Sequence, residues 1–340
     1  MQVQIQKADE KVVTKSEIYN IAVLGAGGLG MAAAGIIDGK KEMNLTGIVD
    51  KLGYAIDHKG LNLEELQKAH KESKTIAAAG IYSDDSLGEL IIQCNNFDAI
   101  FIALPNYSNS FIPDTVKRIV EAGYGGVIVD VLKRTTAVEM MFDMHDTLRD
   151  AGITYITGTG ATPGLLTAAA TLAAQSFQEV LSVDIRFGVG VSNWEAYRAT
   201  IREDIAHLDG FDLEKVSQMT CDDIMAELDS RNGILDLKKM EHADDIMLEH
   251  AGVVDREKVT VGGIVDVRNP KKPISTTMTL TGRTHDGFVS SHTFTLGDET
   301  SMAANVVGPA LGWIKAGIEL NKRGVSGVLA SCEVMPRFVR

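Results

Sequence analysis

Apolar residues fall along the first half of the chain in short runs separated by helix-like segments. Tyr19 to Leu24 (YNIAVL) is a strand-length run that stops at glycines, and the small-residue stretch AGGLGMAAAGIID continues it as a helix. TGIVD (46–50) and FDAIFIALP (97–105) read as further strands, the second closed by a proline. Phe111 to Ala122 reads as a helix with Pro113 in its first turn. VIVDV (127–131) is the next strand, Thr135 to Asp150 the next helix, and ITYITG (153–158) the strand after it. Strands alternating with helices predict a parallel, doubly wound sheet. Right-handed crossovers gather the strand C-termini along one edge, where such sheets bind ligands.

The pattern changes after about residue 180. LSVDIRFGVGVS (181–192), KVTVGGIVDVRN (258–269), ISTTMTLTGRT (274–284) and GFVSSHTFTLGD (287–298) are longer strands with partial alternation, joined in part by the turns NPKKP and THDG. They predict a mostly antiparallel sheet, interrupted by a charged, helix-rich segment over 195–258. SMAANVVGPALGWIKAGIELNKRG (301–324) reads as a long helix ending at a glycine. The organisation expected is a polar arm over 1–17, a nucleotide-type α/β domain over 18–157, an α+β substrate and oligomerisation domain over 158–300, and a C-terminal helix and tail over 301–340 that pack back on the first domain.

The glycines after the first run give that edge its chemistry. GAGGLG (25–30) fits G-x-G-x-x-G with Gly25, Gly27 and Gly30, directly after a strand and before a helix. Gly25 serves the tight turn, Gly27 lets the backbone approach a pyrophosphate, and Gly30 allows close helix–strand packing. With Gly28 and Leu29, the helix start offers free N–H groups to phosphates. Asp50 lies twenty residues after Gly30, at the end of the second strand, where a carboxylate binds adenosine ribose hydroxyls. Lys51 beside it leaves NADP open as well as NAD. Leu104, Pro105 and Asn106, in ALPNYS, line the nicotinamide side. An ordinary glycine-rich turn in a flavodoxin-like domain is the alternative. The first domain is thus expected to be a Rossmann domain binding NAD or NADP.

The run VIVDVLKRTT (127–136) ends by placing Lys133 on that cofactor-facing edge. A solvated lysine opening the next helix is one reading. The other is a rim lysine that hydrogen-bonds a substrate carbonyl, binds a carboxylate, or attacks a ketone to form an imine. Attack needs the neutral amine, which burial or the cation of Arg134 would favour. GTGATPGLLTAAA (158–170) reads either as a strand-to-helix turn or as a loop closing over cofactor and substrate. In VSNWEAYR (191–198), Trp194 is placed to cover an apolar chain and Arg198, or the following Arg202, to hold a carboxylate; packing is the bland role for Trp194. His242 and His250, eight apart on an expected helix, are placed to share a face, with a solvated face as the default for either taken alone.

Charge and composition narrow the classes. The 340 residues carry a formal net charge of −13, which disfavours nucleic acid and anionic membranes as main partners. About 45% of residues are apolar and mean hydropathy is near zero, enough for full cores. Three scattered cysteines and no metal-ligand spacing point to a reducing cytoplasm and no metal. No signal peptide, membrane-length apolar run or G-x-S-x-G stands in the sequence.

The order GAGGLG, FIALPN, VIVDVLKRT, GTGATPG and RGVSGVLASCEVMP resembles the saccharopine-dehydrogenase-like and diaminopimelate-dehydrogenase-like reductases, over nearly the whole chain after residue 18. Within that group, the lysine of DVLKRT and the histidine of KKMEHADD are most similar to the single-turnover enzymes of biotin synthesis. The resemblance implies that Lys133 adds to the ketone of 8-amino-7-oxononanoate and that NAD(P)H reduces the imine. The adduct is then carboxylated by carbon dioxide or bicarbonate, and NAD(P)+ oxidises the lysine side. Hydrolysis releases 7,8-diaminononanoate carbamate and leaves allysine. It further implies proton handling by His242 and Ser192, no pyridoxal phosphate and no metal. The substrate carboxylate needs a local cation, with Arg198, Arg202 and Arg231 as candidates. Two rival readings are a multiple-turnover amino-acid dehydrogenase and a non-catalytic dinucleotide-binding redox sensor. An antiparallel sheet with one uncovered face predicts a homo-oligomer.

Overall fold

The computed structural model describes residues 17–191, 200–297 and 301–340. The first sheet begins with β1 (Tyr19–Leu24), β2 (Met43–Val49), β3 (Gly53–Ile56) and β4 (Ile81–Tyr82). It continues with β5 (Ala99–Ile102), β6 (Val127–Asp130) and β7 (Thr154–Thr157). The second is built from β8 (Glu179–Gly190), β9 (Ile234–Leu237), β10 (Val259–Asp266), β11 (Thr277–Arg283) and β12 (Val289–Thr295). The last strand, β13 (Gly327–Ala330), returns to the first sheet.

The first sheet has the order β13-β7-β6-β5-β1-β2-β3-β4 and is parallel from β13 to β2, with β3 and β4 antiparallel at one end. Its central strands β1, β5 and β6 are apolar on both faces because helices cover both, the expected composition of a buried parallel sheet. The chain goes from β1 to β2 on one side and then crosses to β5 on the other. The order therefore reverses between β1 and β5, and the loops at their C-terminal ends part there to leave a crevice.

The second sheet has the order β12-β11-β8-β10-β9; the β8–β10 pair is parallel and the other three pairings are antiparallel. The helix Leu165–Ala174 packs on one side of it. β12 carries exposed side chains throughout, and Phe288, Val289 and Phe294 stand in solvent.

The C-terminal helix Met302–Asn321, capped by Ser301 on the Ala304 N–H, lies against the first sheet. Its Trp313 is fully buried, and the indole N–H donates to the carbonyls of Ser331 and Val334 at 3.0 and 2.7 Å. Burying a ring of this size contributes about 4–6 kcal/mol from area alone. Glu42 ties the chain end down: it accepts from Lys315 Nζ at 2.8 Å and from the Arg340 N–H at 2.9 Å. The Lys315 contact, ahead of the Arg340 backbone contact, pulls its carboxyl down to about 2.

The region expected as one helix over 135–150 is two, Thr135–Asp143 and His145–Asp150, because the chain turns at Met144. His242 and His250 do not share a helix face. The helix runs Asp244–His250, so His242 precedes it, and His250 ends it stacked on Phe142 at 4.0 Å. Among the described residues, no helix is long and apolar enough to cross a membrane, and no three His, Cys, Asp or Glu side chains gather as metal ligands.

Candidate active site

Five loops meet at the C-terminal edge of the parallel sheet. The glycine loop follows β1, Asp50 follows β2, Ala103–Asn106 follow β5, Lys133 follows β6, and the second glycine cluster follows β7. Gly25 has φ +109°, and a Cβ on it would stand 2.5 Å from the Ala103 carbonyl oxygen. A Cβ on Gly30 would stand 1.7 Å from the Gly25 carbonyl oxygen, so helix and strand can approach only through a glycine here. Gly27 and Gly28 are exposed and nothing lies within 4 Å of where their side chains would be. The helix Gly28–Asp38 has no side-chain cap, so its first N–H groups face this open space beside Leu29. This cradle fits a pyrophosphate. Asn106 adds a second mark of an incomplete site: its amide oxygen and nitrogen are both buried without a hydrogen-bond partner. Leu104 packs on the core beside it and Pro105 is exposed.

Asp50 directly follows β2, as expected, and its carboxylate is already engaged by the protein. Its Oδ1 accepts from the Leu52 and Gly53 N–H groups at 2.8 and 3.1 Å and from Thr75 Oγ1 at 3.0 Å; Oδ2 accepts from the Ile76 N–H at 2.7 Å. The carboxylate thus ties its own hairpin to the segment at Thr75 and Ile76, while Lys51 and Leu52 beside it are exposed.

Lys133 stands three residues beyond the end of β6, on a loop fixed by two acids. Asp130 is wholly buried and accepts from the Leu132 N–H at 2.9 Å, the Gly158 N–H at 2.7 Å, Tyr155 Oη at 2.6 Å and Thr157 Oγ1 at 3.1 Å. Burial pushes its carboxyl up, and the four donors pull it back. On the far side, Thr135 Oγ1 donates to Asp245 Oδ1 at 3.2 Å, and burial raises that carboxyl also. The Lys133 carbonyl accepts from the Ala243 N–H at 2.8 Å, which stitches the β6 end to the segment carrying His242. The lysine Nζ stands 3.7 Å from Glu203 Oε2, and Arg134 makes a closer ion pair with Oε1 of the same carboxylate.

His242 is 6% exposed. Its Nδ1–H donates to Asp244 Oδ2 at 2.6 Å, since a carboxylate can only accept. Asp244 is fully buried and also accepts from Thr162 Oγ1 at 2.7 Å and Thr167 Oγ1 at 2.5 Å. Orienting one ring nitrogen in this way leaves Nε2 to exchange a proton with a ligand. Lys133 and His242 line two cavities together. One, of about 300 Å³, lies toward the cofactor edge and includes Ser108, Asn109, Glu203 and His207. The other, of about 270 Å³, lies toward the second sheet and is walled by Ala161, Phe187, Val189, Val265 and Leu296.

No protein-family model matches the chain. It is 43% identical over 349 residues to (S)-8-amino-7-oxononanoate synthase BioU of Haloferax mediterranei, covering 94% of this chain and 99% of that one. The chain belongs to the BioU family. By structure this BioU-family chain is similar to C. glutamicum DAP dehydrogenase in complex with DAP, with TM-score 0.54, 16% identity and 94% of each chain covered. It is also similar to the amine dehydrogenase of Mycobacterium smegmatis, with TM-score 0.53, 13% identity, and 95% of this chain and 97% of that one covered. At these identities the likeness is one of fold, a Rossmann domain joined to a mostly antiparallel second sheet.

In this member of the BioU family, Lys133, Arg134, His242 and the second glycine cluster come together, the last through Ala161 and Thr162. Arg202 and Arg231 line neither cavity. Arg202 Nη1 donates to the Val216 carbonyl at 2.6 Å, and Arg231 Nε pairs with Glu227 at 2.6 Å. Ser192, Trp194 and Arg198 lie outside the described residues. Asp130, Glu203, Asp244 and Lys272 were not singled out from the sequence. Only Asp130 carries a local signal, an acid inside the apolar run VIVDV.

Proposed function

We propose that this protein acts in biotin synthesis as a single-turnover enzyme, with Lys133 as a sacrificial amino donor to 8-amino-7-oxononanoate. The observation that supports the reading best is the placement of Lys133: at the end of β6, lining the same two cavities as the Asp244-held His242, in a chain of the BioU family. The name of the relative gives the keto acid as its product. The present reading puts the ketone on the substrate side, because a ketone is what a lysine amine adds to.

The chemistry rests on the side chains. The neutral Lys133 amine adds to the ketone carbon and loses water to form an imine. His242 Nε2, with Nδ1 held by Asp244, passes the proton that converts the carbinol oxygen into a leaving water. The glycine cradle and the unpartnered Asn106 amide fit NAD or NADP, and the structural relatives include an engineered D-amino acid dehydrogenase bound to NADP+. A bound nicotinamide supplies hydride to the imine and, in its oxidised form, takes hydride from the lysine Cε. Between those steps the adduct takes up carbon dioxide or bicarbonate. Water then cleaves the new imine, the product leaves with the lysine nitrogen, and residue 133 remains as an aldehyde. Hydride and water balance over the cycle, and the chain loses one amine. No metal or pyridoxal phosphate enters this scheme. The exposed side chains of β12 and the adjoining Phe288 support a homo-oligomer built on the second sheet.

Peptide mass spectrometry on the fragment carrying residue 133 tests this reading. With keto acid and NADH or NADPH but no bicarbonate, the reduced adduct is expected on Lys133. With bicarbonate, allysine and no more than one product per chain are expected. An unmodified Lys133 in both mixtures, or product in excess of chains, would overturn it.

A further inference from the structure

The cavity on the second-sheet side of Lys133 contains a second lysine whose charge has no partner among the described residues. Lys272 lines that cavity with Phe187, Val189, Val265, Thr276 and Leu296. Its Nζ is buried and makes no hydrogen bond among the described residues. Asp204, which borders the same cavity, has an interaction of its own. A buried ammonium without a counter-charge is costly, so a site that keeps one is built to receive an anion.

The segment carrying Lys272 is held in place by the backbone. Lys272 stands in Asn269–Pro273 (NPKKP), between two prolines that fix their own φ angles. The segment lies directly on β8, and two glycines make the contact possible. A Cβ on Gly188 would stand 1.8 Å from the Ile274 carbonyl oxygen, and one on Gly190 would stand 2.4 Å from that of Pro270. Thr276 then accepts from the Gly188 N–H at 3.2 Å. The backbone that carries Lys272 is therefore held in place by a rigid turn. Lys133 is half-exposed and lines the same cavity, whose wall includes the apolar side chains named above.

We propose that Lys272 binds the carboxylate end of the substrate, so that the cavity spans an apolar chain with a ketone at Lys133 and a carboxylate at Lys272. The proposal rests on the function given above and adds the anion receptor that it lacked. Charge supports the assignment, since a chain of net charge −13 must offer a local cation to an acid.

The test compares wild type, Lys272→Met and Lys272→Arg, each first shown to bind NADPH equally. Lys272→Gln replaces the methionine variant if that one fails this control. Calorimetric titration with octanoate, and with octanamide as the neutral control, probes the cavity without involving lysine chemistry. Wild type and Lys272→Arg are expected to bind octanoate, Lys272→Met about tenfold to a hundredfold more weakly, and octanamide weakly and equally in all three. Equal octanoate affinity in wild type and Lys272→Met, or no binding to wild type at millimolar octanoate, overturns the proposal.

A second arm follows Lys133 adduct formation against 8-amino-7-oxononanoate concentration. Lys272→Met is expected to need about tenfold to a hundredfold more keto acid for half-maximal rate, with the saturating rate within roughly threefold of wild type. An unchanged half-maximal concentration also overturns the proposal. Absence of any adduct in wild type sinks the function reading instead, and the octanoate arm then judges Lys272 alone.

Discussion

Replacing Asp244 by asparagine removes one charge and almost no volume, so its effect is set by the hydrogen bonds the carboxylate makes. The buried group accepts three from side chains, those of His242, Thr162 and Thr167. Bonds to an ionised acceptor exceed neutral ones by roughly 1 kcal/mol each, so the substitution should cost about 3 kcal/mol of stability. The amide then has two orientations. With its oxygen toward His242, the tautomer survives but a protonated ring loses its counter-charge. With its nitrogen toward His242, Nδ1 must become the acceptor and Nε2 carries the hydrogen, so Nε2 can no longer accept a proton. Either orientation impairs proton transfer, a contribution of order 10²–10⁴ in rate. We expect Asp244→Asn to form the Lys133 adduct at least about a hundredfold more slowly than wild type, with NADPH affinity unchanged. Quenched-reaction mass spectrometry gives the rate, and urea unfolding gives the stability. A folded Asp244→Asn protein forming adduct within about threefold of the wild-type rate would refute the role given to the His242–Asp244 pair.

Three other substitutions probe the frame around the site. Gly30→Ala forces a Cβ to 1.7 Å from the Gly25 carbonyl and should weaken NADPH binding by about tenfold or more in fluorescence titration, through displacement of the loop. Asp130→Ala orphans four donors at the end of β6 and should cost about 3–5 kcal/mol in urea unfolding. Glu42 has its carboxyl lowered from an ordinary 4.5 to about 2, so its stabilisation is present above the ordinary value and disappears as pH falls through the folded value. The advantage of wild type over Glu42→Gln should therefore be about 3 kcal/mol near neutral pH and shrink toward zero as pH approaches about 2, by urea unfolding at stepped pH.

The elements legible in the sequence were those with a local signal. YNIAVL before GAGGLG, and VIVDV before Lys133, announce strand ends on one edge, because buried parallel strands are apolar on both faces and glycine marks a close approach. β13 escaped notice because GVLA is only four residues long and is stabilised by pairing with β7, at a sequence distance no periodicity records. Asp50 shows what a motif leaves out. Its place in the motif is right for a ribose, yet the hairpin after it supplies two donors and the segment at Thr75 and Ile76 two more. Lys133 was nameable from its strand end alone, whereas the chemical role expected of His242 came from a resemblance. Asp244 and Glu203 were not nameable, since an acid two residues from a histidine, or on a separate helix, has no sequence pattern that separates it from a solvated one. Lys272 looked like part of a turn because its distinguishing property, a buried ammonium unpaired among the described residues, exists only once NPKKP lies on Gly188 and Gly190.

The bond from the Ala243 N–H to the Lys133 carbonyl has a kinetic consequence. It anchors the lysine backbone, while the side chain borders both cavities. Travel between them needs only torsions along four methylenes, motions of picoseconds to nanoseconds, whereas domain hinging takes microseconds to milliseconds. Lys133 is thus an arm on a fixed pivot, able to turn from one cavity to the other while the main chain stays still.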